Sequence, residues 1–437
     1  MPGFKLSEVV VAEVLAEVEA RRASLREVME RYFKRFRELE VIKGLVRAYS
    51  LAVLRNFKLL DFIASRELGI RVEELDFFKR NLLRAVVYEA VFRDVSRERL
   101  EKASKPLKVA ARDLVKLRDL SIDRLLKPLP VLERLSMRYS QPKWVVEYLV
   151  KLLGLKEAME LLRSFNRPAT VWIRVNTLKI TRRELARSLR RRGLLVVEDE
   201  DLPDVLKVLK LKSSLSRLPE HEKGFFYIQD KASALVAHVL SPQENADLVD
   251  LCAAPGGKAT HAAQLTKCKV RILDLDLSAR RMAVLKKLTS KLGVHCIDAV
   301  VADSRTPPLR GKFDYVVIDQ DCSSLGKLGH SPEIRLWTSP RYVEEYAALQ
   351  RELLKKGLKL LKPGGKLIYS TCTFTLEENE QLVKEVCHEV GEVEPAEQTP
   401  FIGDPGFEDL VEAQRLFPHR HSTQGFFVAK LLKEKRR

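Results

Sequence analysis

Apolar residues recur at intervals of three and four through the first 127 residues. Leu82, Leu83, Val86, Val87, Ala90 and Val91 show the spacing that lines one face of a helix. Only three glycines (Gly3, Gly44, Gly69) and two prolines (Pro2, Pro106) interrupt this stretch, and such sparse punctuation predicts an all-helical domain over residues 1–127. Ser24-Leu25-Arg26-Glu27 has the form of a capping box that opens one of its helices. Pro128 and Pro130 break the pattern and predict a boundary near residue 128. A helical stretch follows to about residue 163. Then comes a β-branched run from Thr170 to Leu178 that reads as a strand. A second capping box, Thr181 to Glu184, opens a short helix that Gly193 is placed to end. Residues 128–245 are thus expected to form a small α/β subdomain.

From residue 246 the pattern alternates between short apolar runs and amphipathic stretches. Strands are expected at Ala246–Leu251, Val270–Asp274, Phe313–Asp319, Lys366–Ser370 and Gly425–Leu431. The run from Phe313 to Asp319 is almost continuously apolar, as for a strand covered on both faces. Helices are expected through Arg281, Leu285 and Leu288 and across 341–361, the latter stopping at Pro363-Gly364-Gly365. The alternation predicts an α/β Rossmann-like domain over 246–432. Its sheet would be doubly wound and mostly parallel, with ligand sites at the carboxyl ends of its strands.

Composition narrows the class. The chain has 437 residues, 46% hydrophobic and 32% charged, which suits two or three folded domains and excludes a wholly disordered protein. No run of 18 apolar residues occurs, so no membrane span is expected. The N-terminal stretch carries acids and no small-residue cleavage site, which speaks against a secretion signal. Six cysteines form no CxxC pair, so neither a disulfide framework nor a metal site is expected, and a reducing, cytoplasmic setting is. Charge is uneven. Residues 1–200 carry 43 basic and 28 acidic side chains, a net +15, while residues 201–437 carry 35 and 32, a net +3. That asymmetry suggests a part that grips a polyanion joined to a near-neutral unit; a basic, heat-tolerant surface is the plainer alternative. Arg183, Arg187, Arg190 and Arg191 fall at i, i+4, i+7 and i+8 of the short helix and share a face. Such a face is either a phosphate-backbone site or a solvated arginine surface.

Three strand ends carry candidate chemistry. The turn Cys252-Ala253-Ala254-Pro255-Gly256-Gly257-Lys258 follows the first strand, and its glycines let a ligand approach the backbone beside free helical N–H groups. Asp274, at the end of the second strand, can accept hydrogen bonds from a ribose diol, the logic of a nucleoside-cofactor site. The turn is not GxGxxG, which disfavours nicotinamide. Asp319-Gln320-Asp321-Cys322 and Ser370-Thr371-Cys372-Thr373 each place a cysteine after a strand. Two cysteines at the ligand edge, one of them beside acids, suit a thiolate nucleophile with an acid–base partner; buried cysteines that merely pack are the alternative.

These segments, with Arg174–Leu178, Tyr227–Ser233, His330–Trp337 and His421–Phe427, resemble the RNA cytosine-5 methyltransferases of the Nol1/Nop2/Sun (RsmB-like) family over residues 134–431. The helical N-terminus resembles the NusB-like extension of the bacterial 16S ribosomal RNA enzyme, and residues 128–245 an RNA-recognition-like subdomain. The resemblance implies S-adenosyl-L-methionine on Cys252–Lys258, with Asp274 on its ribose, Asp303 near its adenine and Asp319 beside both cofactor and target base. It implies Cys372 as nucleophile towards cytosine C6 and Cys322 as the group assisting release. The expected partner is RNA, ribosomal over transfer, held partly by Arg183, Arg187, Arg190 and Arg191; the protein is expected to act as a monomer without metal or membrane. The family usually has a small residue and a proline before the loop cysteine, where this chain has Gln320 and Asp321. A carboxylate at Asp321 would disfavour a Cys322 thiolate and slow product release. That departure keeps open a non-catalytic RNA-binding or assembly factor on the same scaffold.

Overall fold

The computed structural model describes residues 6–210 and 214–435. The chain divides into two compact units. One runs to Pro168 and includes Leu328–Ser339; the other comprises Ala169–Lys327 and the chain from Pro340 onward.

The first unit is helical. Its main helices are Ser7–Arg21, Leu25–Arg35, Lys43–Leu68 and Phe77–Phe92. The Ser24 hydroxyl caps the second by accepting from the Glu27 N–H at 3.2 Å, and Asp76 caps the fourth by accepting from Lys79 at 2.8 Å. Helices continue beyond the prolines near 128. Pro130 precedes Val131–Arg138, Pro142 precedes Lys143–Leu153, and Leu155–Phe165 closes the series. A proline just before a helix has its dihedral preset and no N–H to satisfy, so here it starts helices. The segment Pro332–Leu336 belongs to this unit as well. The buried Glu333 accepts the Leu25 N–H at 3.1 Å. The buried guanidinium of Arg335 donates to the carbonyls of Arg55, Tyr139, Phe165 and Leu328 at 3.0–3.3 Å. The motif at 330–337 therefore braces helices.

The second unit carries two sheets. In the smaller one, β1 (Val171–Val175), β2 (Leu195–Glu198), β3 (Val205–Lys210) and β4 (Phe226–Ile228) pair antiparallel in the order β2-β3-β1-β4. The helix Arg182–Arg191, opened by a complete Thr181–Glu184 capping box, buries Leu185, Ala186 and Leu189 in one core with Ile173, Val196 and Leu206. The larger sheet contains β5 (Asp247–Asp250), β6 (Arg271–Asp276), β7 (Ile297–Val301), β8 (Phe313–Ile318) and β9 (Leu361–Thr371), all parallel to their neighbours among these. Then follow β10 (Val393–Pro395), β11 (Asp404–Pro405), β12 (Gln414–Leu416) and β13 (Phe426–Lys433), which pair antiparallel. The order is β11-β12-β13-β9-β8-β5-β6-β7. The chain winds outward through β6 and β7 and then returns to the other side of β5 through β8 and β9. The switch point lies between β5 and β8, where doubly wound sheets open a crevice at their carboxyl ends. This is the expected Rossmann-like architecture, and a helical region precedes it in the chain.

A buried polar group joins the small sheet to the helix Gly257–Leu265. His238 and His261 each place Nε2 on Asp204, at 2.8 and 2.7 Å, and the Gln264 amide donates to it at 3.0 Å. The carboxylate can only accept, so both imidazoles donate to it. No helix among the described residues is long and apolar enough to cross a membrane.

Candidate active site

The turn after β5 is held open from several sides. Gly256 has φ of +100°, a conformation that disfavours any side chain, and it starts the helix Gly257–Leu265. Asp250 ends β5 fully buried; its Oδ1 accepts the Cys252 N–H at 3.1 Å, and burial pushes its pKa up to about 7. The Ala253 N–H donates to Leu275 O at 2.9 Å and the Ala254 N–H to Asp276 Oδ2 at 3.2 Å. Arg174, on β1, is wholly buried and grips the turn from below. Its guanidinium donates to Gln229 Oε1 at 2.7 Å, to Gly257 O at 2.5 Å and to Thr260 Oγ1 at 3.0 Å. The small sheet thus shapes the backbone of the turn.

The two acids of β6 occupy different environments. Asp274 lies inside the strand, registered with Asp250, and is fully buried with no hydrogen-bond partner for either carboxylate oxygen. Burial, followed by the nearby charges of Asp250 and Asp276, holds its pKa well above the carboxylate range. Asp276 is the last residue of the strand. It accepts the Ala254 N–H and, at 2.9 Å, the Ser278 N–H, with the Arg281 guanidinium 3.5 Å away. The acid at the carboxyl end, touching the turn, is Asp276, which the sequence reading did not single out; the serine cap that follows it was the available signal. Asp303 follows β7 and forms a 2.7 Å ion pair with Arg305, which holds its carboxyl below the usual range. Its neighbour Ser304 donates to the carbonyl of Leu251, so this loop is tied to the turn.

At the end of β8, Asp319 pairs with the Lys258 ammonium through Oδ2 and accepts the Ser370 hydroxyl at 2.8 Å through Oδ1. This one carboxylate joins the turn after β5 to the β9 loop. Three residues on, Cys322 Sγ lies 3.1 Å from Cys372 Sγ, and both thiols are free and buried. The hydrogen bond from Cys322 is the largest influence on Cys372 and, with the Lys327 ammonium, lowers its pKa to about 6 against the effect of burial. Cys322 moves the other way: donating to Cys372, and then burial, hold it protonated. Lys327 is likewise pushed upward, chiefly by the Cys372 charge, and hydrogen-bonds that sulfur. The short helical turn Leu325–Lys327 is seated against this loop because the Gly326 N–H donates to Cys372 O at 2.9 Å. A Cβ at Gly326 would stand 2.1 Å from Gly425 O, so only glycine fits there. Gln320 is buried, whereas the Asp321 carboxylate turns outward to within 3.7 Å of Arg281, its side chain 73% exposed. The protonated state of Cys322 therefore has its main cause in Cys372 and burial, and the expected influence of Asp321 is secondary. Lys327 and Ser324, whose Oγ is 3.6 Å from Cys372 Sγ, were not foreseen.

The arginine face also forms. Arg183, Arg187, Arg190 and Arg191, with Glu198, line a groove of about 560 Å³. Arg190 is tied to Val196 O at 3.1 Å, while the neighbouring Arg182 and Arg192 are engaged by Glu198 and Glu220.

Comparisons place this arrangement among known proteins. The family model for 16S rRNA methyltransferase RsmB/F matches residues 237–432, and that for the RsmF/B-like ferredoxin-like domain matches 141–213. A tRNA (cytosine(72)-C(5))-methyltransferase of Pyrococcus horikoshii is 41% identical over 223 residues, 51% of this chain, which spans 56% of that protein's length. A probable ribosomal RNA small subunit methyltransferase B of Synechocystis is 33% identical over 310 residues, 69% of either chain. The solved structure of PH0851 is similar over 99% of this chain and 100% of that one, with TM-score 0.82 and 32% identity. NSun6 from Pyrococcus horikoshii, solved with SFG, an S-adenosylmethionine analogue, has TM-score 0.63 and 31% identity over 68% of this chain and 99% of its own. The matched span holds the turn Cys252–Lys258 and both thiols, and the chain belongs to the RsmB/F family of RNA cytosine-C5 methyltransferases.

Proposed function

We propose that the protein methylates C5 of a cytosine in RNA through a covalent Cys372 adduct, with S-adenosyl-L-methionine as donor. The observation that carries this reading is the pair of sulfurs 3.1 Å apart at the ends of adjacent strands, the Cys372 member favoured as thiolate. Cytosine C5 is a poor nucleophile. Attack of the Cys372 thiolate on C6 makes C5 enamine-like. Asp319, held by Lys258 and Ser370, would accept a hydrogen bond from the cytosine N4 amino group and orient the ring for attack. Once C5 carries the methyl, its proton must pass to a base as the C5–C6 double bond re-forms and the C6–S bond breaks; Cys322, whose thiol lies 3.1 Å from Cys372 Sγ, would assist by donating its hydrogen bond to the departing Cys372 thiolate. A base paired within a helix cannot be reached, so the target is unpaired or flipped out.

The residues present fit the donor. The glycine turn within Cys252–Lys258, ahead of the helix Gly257–Leu265, and the buried acid at the end of β6 suit an adenosine ribose, with Asp303 towards the adenine. We assign the ribose to Asp276, at the strand end, in place of Asp274, which lies inside the strand. S-adenosylmethionine, when bound, supplies an electrophilic sulfonium methyl. The arginine face Arg183, Arg187, Arg190 and Arg191 would hold RNA phosphates, and the basic helical unit would add to that grip. Ribosomal RNA is the favoured substrate, in keeping with the relative aligned over 69% of the chain; transfer RNA is the other class to assay.

Labelled S-adenosylmethionine with unmodified ribosomal and transfer RNA tests the reading, with bisulfite mapping to locate the cytosine. Transfer to cytosine C5, abolished by Cys372→Ala, is expected. Transfer to no cytosine in either pool, or activity that survives Cys372→Ala, would overturn it.

A further inference from the structure

Two adjacent residues grip both thiol loops at once. Glu378 and Asn379, immediately before the helix Glu380–Val390, are completely buried. Glu378 Oε1 accepts the Ser323 N–H at 2.9 Å and the Gln350 amide at 3.0 Å. Its Oε2 accepts the Thr375 hydroxyl at 2.7 Å and also the Ser323 hydroxyl. Four donors occupy the four acceptor positions of one carboxylate. Asn379 attends to the other loop. Its Oδ1 accepts the Thr371 hydroxyl at 2.5 Å, and its Nδ2 donates to Thr373 O at 3.2 Å. Ser323 follows Cys322 in the chain, and Thr371 and Thr373 flank Cys372. The Ser323 and Thr373 hydroxyls are themselves 2.7 Å apart.

We propose that Glu378 and Asn379 are positioning residues that set the separation of Cys322 from Cys372 and so maintain the thiol-to-thiolate hydrogen bond. This rests on reading Cys372 as the nucleophile and Cys322 as the releasing group. The two cysteines stand on loops after different strands, and the 3.1 Å sulfur contact is short enough that a shift of about 1 Å in either loop takes it beyond hydrogen-bond range. The clamp resists such a shift because it is buried and fully satisfied; losing one member strands the remaining donors without partners. Glu378 touches the backbone N–H beside Cys322 directly, and Asn379 brackets Cys372 on both sides, so together they act on the distance between the loops.

The test uses Glu378→Gln, which keeps the volume but turns an amide N–H₂ towards donors. Ser323→Ala removes one hydroxyl from the same clamp and serves if Glu378→Gln does not fold. Four quantities are read: melting temperature, the pH midpoint of Cys372 alkylation in the free protein, the covalent RNA adduct on a denaturing gel, and S-adenosylmethionine affinity. A raised alkylation midpoint, at least fivefold more adduct than the wild type, and unchanged S-adenosylmethionine affinity are expected, in the same direction but smaller for Ser323→Ala. A folded variant with the wild-type midpoint and no extra adduct overturns the proposal, whatever its melting temperature. Two controls separate the layers. Transfer surviving Cys372→Ala sinks the underlying mechanism, whereas adduct trapped by Cys322→Ala but not by Glu378→Gln sinks the clamp alone.

Discussion

Removing the Cys322 sulfur is expected to make Cys372 a weaker acid. In the intact site the Cys372 pKa falls from an ordinary 9.0 to about 6, with the hydrogen bond from Cys322 as the largest cause and the Lys327 ammonium assisting. At about 1.4 kcal/mol per pH unit, that is on the order of 4 kcal/mol in favour of the thiolate. Cys322→Ala deletes the first contribution and keeps Lys327 and Ser324, so the midpoint should rise to roughly 7.5, between about 6 and the ordinary thiol range. The sign follows from the charge: a lowered pKa means reactivity is gained as pH rises through it. At pH 6.5 the thiolate fraction would fall from about 0.8 to about 0.1, and because the more basic thiolate is roughly fivefold more nucleophilic the alkylation rate would fall about twofold. At high pH the order reverses, because a more basic thiolate is more nucleophilic; with a Brønsted slope near 0.45 the plateau should rise roughly fivefold. The two pH profiles should therefore cross. The assay is iodoacetamide alkylation across pH 5 to 9, followed at the Cys372 peptide by mass spectrometry, with Cys372→Ser as the blank. A Cys322→Ala midpoint still near 6 would refute the reasoning and leave Lys327 as the main source of acidity.

Three further outcomes are expected. Lys327→Met should move the acid limb of the transfer rate upward by about one pH unit and slow turnover at pH 7 about twofold, with Lys327→Arg restoring part of it; a pH profile without that shift would contradict the proximity of ammonium and thiolate. Asp276→Asn should weaken S-adenosylmethionine binding by about tenfold or more in calorimetry, while Asp274→Asn, inside the strand, should leave the affinity within about threefold; the reverse pattern would return the ribose to Asp274. Replacing Arg183, Arg187 and Arg191 together by Gln should lower the slope of log affinity for single-stranded RNA against log salt by about 2, at roughly 0.7 per lost phosphate contact. An unchanged slope would make that face a solvated surface.

The sequence by itself determined what depends on neighbours along the chain. Short apolar runs between amphipathic stretches specified strands that alternate with helices, and with them a doubly wound sheet whose carboxyl ends carry Asp250, Asp319 and Cys372. Capping boxes and apolar faces specified the helices, including the one that aligns four arginines. Other features depended on which distant segments pack together, and only the tertiary structure decided them. Pro128 and Pro130 looked like a boundary because proline breaks helices from within, yet here proline precedes helices and the helical unit runs to Phe165. The stretch 330–337 carried a family signature, but its place as a brace in the helical unit arises from carbonyls contributed by four separated positions. Which of Asp274 and Asp276 stands at the carboxyl end of β6 turned on two residues of strand length, set by pairing with β5 and β7. The acidity of Cys372 is the clearest case. A thiol's pKa is governed by charges and donors within a few ångströms, and those that act on Cys372 come from Cys322 and Lys327, about 50 residues earlier in the chain, which only the packing of two strand ends brings to one sulfur.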